Sequence, residues 1–298
     1  MKLSMTTSFL AIAAALVGTA VQAREPGTPT AMPTGATIGV PVGANPPPGL
    51  YYSNRNDFLF ADVYSGDTKT PIEVDVRASA QQFHWVPGNT IFGGSYRAMF
   101  TVPVIWADQS AFGTETDEFG VGDIVVSPFN LSWMIAPGLF VQSGVTLTMP
   151  TGKFSTAPGA VNLGSNAFTG AVDVGVSYLA NGWNLSAHAN YFVHTKNPDT
   201  DYRSGDELIV NWTAMKDVGG FSIGPVGYLR QQVTDDRNEG SFYGRGISGK
   251  ARQFGIGLGL TKNFGPVEAN ISYVHDFEVE NTLGGDRVLV NFTVPLQF

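Results

Sequence analysis

The chain has 298 residues, a net charge of −8 and no cysteine. It carries no Lys/Arg cluster, so nothing offers the basic face that nucleic-acid binding requires, and a disulfide-stapled exported fold is excluded. Charged residues are 14% of the chain, with 36 Gly, 20 Phe and 10 Tyr. That is far below the roughly 25% charge of ordinary soluble domains.

The N-terminus opens with Met1-Lys2, an apolar run from Phe9 to Val17, and Val21-Gln22-Ala23. This is the pattern of a secretory signal peptide over residues 1–23, and the mature chain is expected to begin at Arg24. Beyond it, no run approaches the roughly 18 apolar residues of a membrane helix. Residues 24–48 (REPGTPTAMPTGATIGVPVGANPPP) have no period, and their prolines exclude central strands and helices. Two readings stand for this segment: a periplasmic leader, or a partial plug folded into a barrel mouth.

From residue 49 to 298 the pattern has period 2, which is the pattern of strands. Twelve are expected, at about 50–64, 72–86, 91–107, 122–135, 139–150, 168–180, 183–196, 206–216, 221–234, 251–263, 267–280 and 286–298. The fourth alternates least cleanly. The last is the clearest: Val288, Val290, Phe292, Val294, Leu296 and Phe298 share one parity, and Arg287, Asn291, Thr293 and Gln297 share the other. Short connections such as Pro87-Gly88-Asn89, Asn181-Gly182 and Phe264-Gly265-Pro266 carry hairpin chemistry. They alternate with longer ones at about 65–71, 108–121, 151–167, 197–205, 235–250 and 281–285. An even number of strands with turns and loops sorted in this way predicts an all-β fold, a transmembrane antiparallel β-barrel of the outer-membrane type, closed by pairing the last strand with the first. The terminal Phe298 is expected to engage the barrel-assembly machinery. Outer-membrane lipid and lipopolysaccharide are the expected surroundings, and a monomer the expected state.

The polar parity is then expected to face the lumen. It includes Glu73, Asp75, Arg77, His188, His194, Glu207, Tyr228, Arg230, Gln232, Glu268, Asp276 and Arg287. Among these, Arg77, His188, Tyr228, Arg230 and Gln232 are the candidate permeation residues.

Several ordered motifs carry a resemblance: GVGDIVVSPFNLSW (120–133), PTGKF (150–154), Asn162 to Asn166, NPDTDYRSGDELIVNW (197–212), GPVGYLRQQVTDD (224–236) and GKARQFGIGLGL (249–260). PPPGLYY (46–52) joins them. Together they resemble the MetA-pathway of phenol degradation family, also called SphA-like outer-membrane transporters. The resemblance implies an outer-membrane channel associated with uptake of small hydrophobic or aromatic compounds. It supplies no functional residues.

Asp199, Asp201 and Asp206, and separately Asp235, Asp236 and Glu239, fall in outer loops, where they are solvated charge or oxygen ligands for Ca²⁺. Their spacing fits no EF-hand loop, and no metal or cofactor is expected. His188 and His194 lie about 20 Å apart along one strand and cannot share a metal. Ser186 and His188 are about 7 Å apart by strand geometry, too far for proton transfer. The glycines of Gly255-Ile256-Gly257-Leu258-Gly259 alternate within a strand and form no dinucleotide loop. They provide room at the lumen face or curvature in the wall. The expectation is a passive channel and not an enzyme. The alternatives are a structural or adhesive barrel, and a lumen- or rim-sited lipid hydrolase, whose sign would be a cross-strand Ser–His contact.

Overall fold

The computed structural model describes residues 24–157, 159–240, 242–243 and 249–296. The expected signal peptide and the terminal Phe298 lie outside the described residues. Twelve strands form a closed antiparallel barrel. They are β1 (Gly49–Ser65), β2 (Thr68–Val86), β3 (Gly94–Ala111), β4 (Ile124–Ala136), β5 (Leu139–Met149), β6 (Thr169–Tyr178), β7 (Trp183–His194), β8 (Glu207–Asp217), β9 (Ser222–Gln232), β10 (Arg252–Phe264), β11 (Val267–Glu280) and β12 (Leu283–Leu296).

Closure runs along the whole of β1 and β12, from Leu50 opposite Leu296 to Val63 opposite Leu283. No edge is left open, as hydrocarbon demands of every backbone N–H and C=O. Val172, Val174 and Val176 of β6, Leu185 and Val193 of β7, and Ile271 and Tyr273 of β11 point outward. The intervening residues, such as Asp173, Ser177, Ser186 and Asn190, are buried inside. Asn181 and Gly182 both have positive φ (53° and 72°), the geometry of the tight primed turn that their sequence predicts.

Two expected long connections are in fact short, and a third is ordered as strand. β1 and β2 meet at Gly66-Asp67, and β11 and β12 at Asn281-Thr282. The expected loop 108–121 is mostly strand: Thr114–Val121 folds back on the outer half of β3 through Phe112-Gly113. Residues 65–71 and 108–121 are rich in Asp, Glu, Thr and Lys, but polar strands pair well in water. β1, β2 and β3 run to 17, 19 and 18 residues, longer than the roughly 9–11 needed to cross a bilayer, so their outer parts extend past the lipid. The weak alternation of β4 has a cause too. Its pairing to β5 slips between Val126 and Phe129 and again before Ala136, and Pro128 lies in the first slip, where its missing N–H costs no ladder bond.

A larger correction concerns parity. In β2, Val74, Val76, Ala78 and Ala80 face the interior, while Glu73 and Arg77 are exposed on the outside. Arg77 lies opposite the outward-facing Phe58 and Trp106. The rule of polar inside and apolar outside assumes lipid without and water within. Here the outer half of β2 meets water outside and an apolar space inside, so the pattern inverts.

Residues 24–48 lie inside the barrel. They descend along β8 from its outer end to its periplasmic end. Arg24 pairs with Glu207 at 3.1 Å. Gly35 N donates to Asn211 Oδ1 at 2.7 Å, and Gly39 N to Thr213 Oγ1 at 2.9 Å. Gly43 N then donates to Ser177 Oγ at 2.8 Å, and Asn45 reaches the Ser95 carbonyl. Without helix or sheet of its own, the segment satisfies its backbone through its own tight turns, such as Ala36 N to Pro33 O and Ile38 N to Gly35 O, and through the wall's polar side chains.

Candidate functional site

The segment divides the lumen into a filled side and an open side. On the filled side, Ile38 is fully buried among Met215, Val226, Tyr228, Val274 and Leu289. Ala31 and Met32 pack on Ala171, Phe192 and Ile209. The alternating glycines of β10 make this packing possible: a Cβ on Gly255 would stand 2.7 Å from the Tyr228 ring, and one on Gly259 would stand 2.1 Å from the Met215 methyl.

The outer end of the segment is held by charge. Glu207, 0% exposed, accepts from Arg24 on Oε2 and from both Nε and Nη2 of Arg230 on Oε1. Arg230 also donates to Thr282 Oγ1 at 2.7 Å, joining the β11–β12 turn to the cluster. Glu25 accepts from Asn197, Thr200 and Tyr243. Burial pushes the Glu25 carboxyl above its ordinary value, against the pull of those donors and of Arg24. Asp236 is raised for the same leading reason, burial, while accepting from Tyr202, Gly205 N and Gln232.

These contacts explain the motif residues. Asn197, Thr200 and Tyr202 of the NPDTDY stretch build the collar around Glu25. Asp123 of GVGD accepts from Gly152 N and from Ser165 N and Oγ, clamping the 150–166 loop over the barrel. The other acidic loop residues mostly meet cations: Asp201 pairs with Lys196 at 2.6 Å and Asp235 with Lys250 at 3.4 Å. Among the described residues no group of three His, Asp or Glu side chains could hold a metal ion.

The open side is a cavity of about 1110 Å³ between residues 24–42 and the inner faces of β1–β5 and β12, reaching individual side chains of β6, β7, β9 and β10. The wall of its outer half along β1–β3 is mainly apolar, with Leu59 and Val63 of β1, Ile72, Val74 and Val76 of β2, and Ile105 and Ala107 of β3, beside Leu163 of the clamped loop. Its inner half is polar and cationic, with Arg55, Gln82, His84, Arg97, Asp173, His188 and Asn190.

Of the five candidate permeation residues, His188 lines this cavity and Arg230 borders it. His188 Nε2 lies 3.0 Å from Asp173 Oδ1. Tyr228 and Gln232 face inward but are sealed in the packed side, 0% and 1% exposed. Arg77 is on the outer surface. Arg55, Arg97, His84 and Asp173 were not singled out from sequence. The available signal was β1 itself, where Arg55 and Asp57 share a parity flanked by the apolar Leu59 and Ala61.

A cross-strand Ser–His contact does exist: His84 Nε2 lies 3.1 Å from Ser53 Oγ. Ser53 is 1% exposed and also bonds Thr293 Oγ1, so it is sealed off from any substrate.

Comparison with known proteins agrees with this architecture. The crystal structure of an outer-membrane channel from Pseudomonas putida F1 superposes with a TM-score of 0.74 at 15% identity, covering 90% of this chain and all of that one. The translocator domain of the autotransporter NalP from Neisseria meningitidis matches with a TM-score of 0.48 at 10% identity, over 86% of this chain and 91% of that one. A mutant of the TodX monoaromatic hydrocarbon channel matches with a TM-score of 0.43 at 9% identity, over 85% and 91%. No curated protein matches the chain. The family model described as "Putative MetA-pathway of phenol degradation" matches residues 60–292, and the chain belongs to that family.

Proposed function

We propose that this outer-membrane barrel is a passive channel for small hydrophobic or aromatic compounds. The observation that carries the reading is the apolar inner wall of β1–β3, which faces a lumen cavity where an ordinary porin presents polar groups. An apolar solute crossing the lipopolysaccharide layer exchanges water for this wall and gains roughly 25 cal/mol for each Å² it buries. No bond is made or broken. Residues 24–48 act as a plug that narrows the path and supplies its second wall, and His188 and Arg230 border the route. The barrel works as a monomer in contact with lipid and lipopolysaccharide, and it is not an enzyme.

The test is uptake of p-cresol or toluene into proteoliposomes, compared with uptake of arabinose. Faster entry of the aromatic solutes through the barrel, with little sugar flux, supports the reading. Sugar and aromatic entry at equal rates, or no acceleration of either, sinks it.

A further inference from the structure

The cavity joins an apolar half to a cationic floor, and that pairing specifies a ligand more narrowly than hydrophobicity does. Arg97 is on β3 and Arg55 on β1, and both guanidinium groups line the floor. Arg97 Nε has no hydrogen-bond partner, and among the described residues no carboxylate lies within ion-pairing distance of Arg97. The acid whose charge reaches it, Asp173, is engaged by His188 at 3.0 Å and by Gln142. Arg55 donates its Nε to Gln82 Oε1 at 2.7 Å; Glu268 acts on it only from beyond ion-pairing distance. The two cations also act on each other. By contrast, the other inward-facing arginines are committed: Arg287 to Asp57, Arg230 to Glu207 and Arg24 to Glu207.

Two guanidinium groups without a carboxylate partner at the base of an apolar pocket are costly without an anion. Their planar forks match a carboxylate. We propose that the floor formed by Arg97 and Arg55 is a carboxylate subsite, and that the channel selects solutes with a single carboxylate on an apolar body, head toward Arg97 and body against Met99, Ala80 and Pro103. This rests on the uptake reading above and names its substrate class. Such a solute is repelled by the anionic lipopolysaccharide surface, so a cationic station inside the barrel helps most where the outer barrier is highest.

The test uses the full mature chain in uncharged detergent. Binding of decanoate and decanol is measured by titration calorimetry, and of 4-phenylbutyrate and 4-phenylbutanol beside them. The expected result is that at least one carboxylate binds about tenfold or more tighter than its alcohol, in line with a charge-assisted hydrogen bond. Arg97→Gln should collapse that carboxylate-to-alcohol ratio toward one, and Arg97→Lys should restore part of it. Arg77→Gln, which removes an outer-surface arginine, should leave the ratio intact. Heat-modifiable migration on gels checks that each variant is folded, and the wild-type ratio tests the idea even if Arg97→Gln does not fold. Carboxylates and alcohols bound equally by the wild type would overturn the carboxylate subsite while leaving the uptake reading standing. A wild-type preference that folded Arg97→Gln retains in full would overturn the assignment to this floor. Binding of none of the four would overturn both readings.

Discussion

The two sides of the lumen are built from the same alternating strands and behave as opposites. Along β8–β11 the inward side chains chiefly meet residues 24–48, and almost every polar atom has a named partner. Along β1–β3 the inward side chains chiefly meet empty volume, and β6 and β7 contribute to both sides. One side behaves as a protein core and the other as a binding site. The lesson is that a barrel's inner face need not be uniform: whatever fills part of it decides which residues are structural and which remain available for a solute.

Removing the segment should erase this difference most completely. A chain lacking residues 24–48 keeps β1 from Gly49 onward and all of its barrel pairings. Single-channel conductance in planar bilayers is expected to rise several-fold. Conductance equal to that of the full chain would mean the segment does not limit the path.

A smaller and more local effect is expected from Glu207→Ala. It leaves Arg24 and Arg230 buried without their shared partner, and losing one side of a buried ion pair typically costs about 3–5 kcal/mol. The gel-shift unfolding temperature should fall, and proteolysis should cut within residues 24–34 faster. An unchanged melting temperature would assign the anchoring to the hydrogen bonds of Gly35 and Gly39 instead.

On the open side, Val76→Asp should spare folding while slowing entry of p-cresol and toluene. Losing one aliphatic contact and adding a charge to the apolar wall is expected to slow it about tenfold, read by the same proteoliposome uptake. Conductance of small ions should change little.

The smallest expected effect is a pH dependence at the outer collar. Burial raises Glu25 from its ordinary value of 4.5. An acid with a raised value in the folded state binds its proton more tightly there. Its contribution is therefore full below about the ordinary value and is lost as pH rises through the raised one. Hydrogen exchange over residues 24–32 should slow as pH falls from 7 toward 5, after correction for intrinsic rates. Exchange that quickens over the same range would assign the control to another group, with Arg24, Tyr243 and Asp236 nearest at hand.

How far the sequence reached differs between these regions. The period-2 pattern of β6–β12, the Asn181-Gly182 turn and the even strand number were legible because lipid outside and protein inside impose the simplest rule a strand can carry. The same rule misassigned Arg77, since it reads chemistry without knowing what lies beyond each face. The sequence alone also could not choose between leader and plug for residues 24–48. Their glycines and prolines exclude regular structure but say nothing of the Asn211, Thr213 and Ser177 side chains that receive their backbone.

By itself, then, the sequence determined the class of fold, the strand number, the tight turns and the family. These follow from local periodicity, backbone chemistry and ordered motifs. Only the tertiary structure decided that the lumen is half filled, that β2 turns its apolar parity inward, and that Arg55 and Arg97 share one floor. Those facts depend on residues far apart in the chain meeting across a closed wall, and neither spacing nor composition encodes that distance.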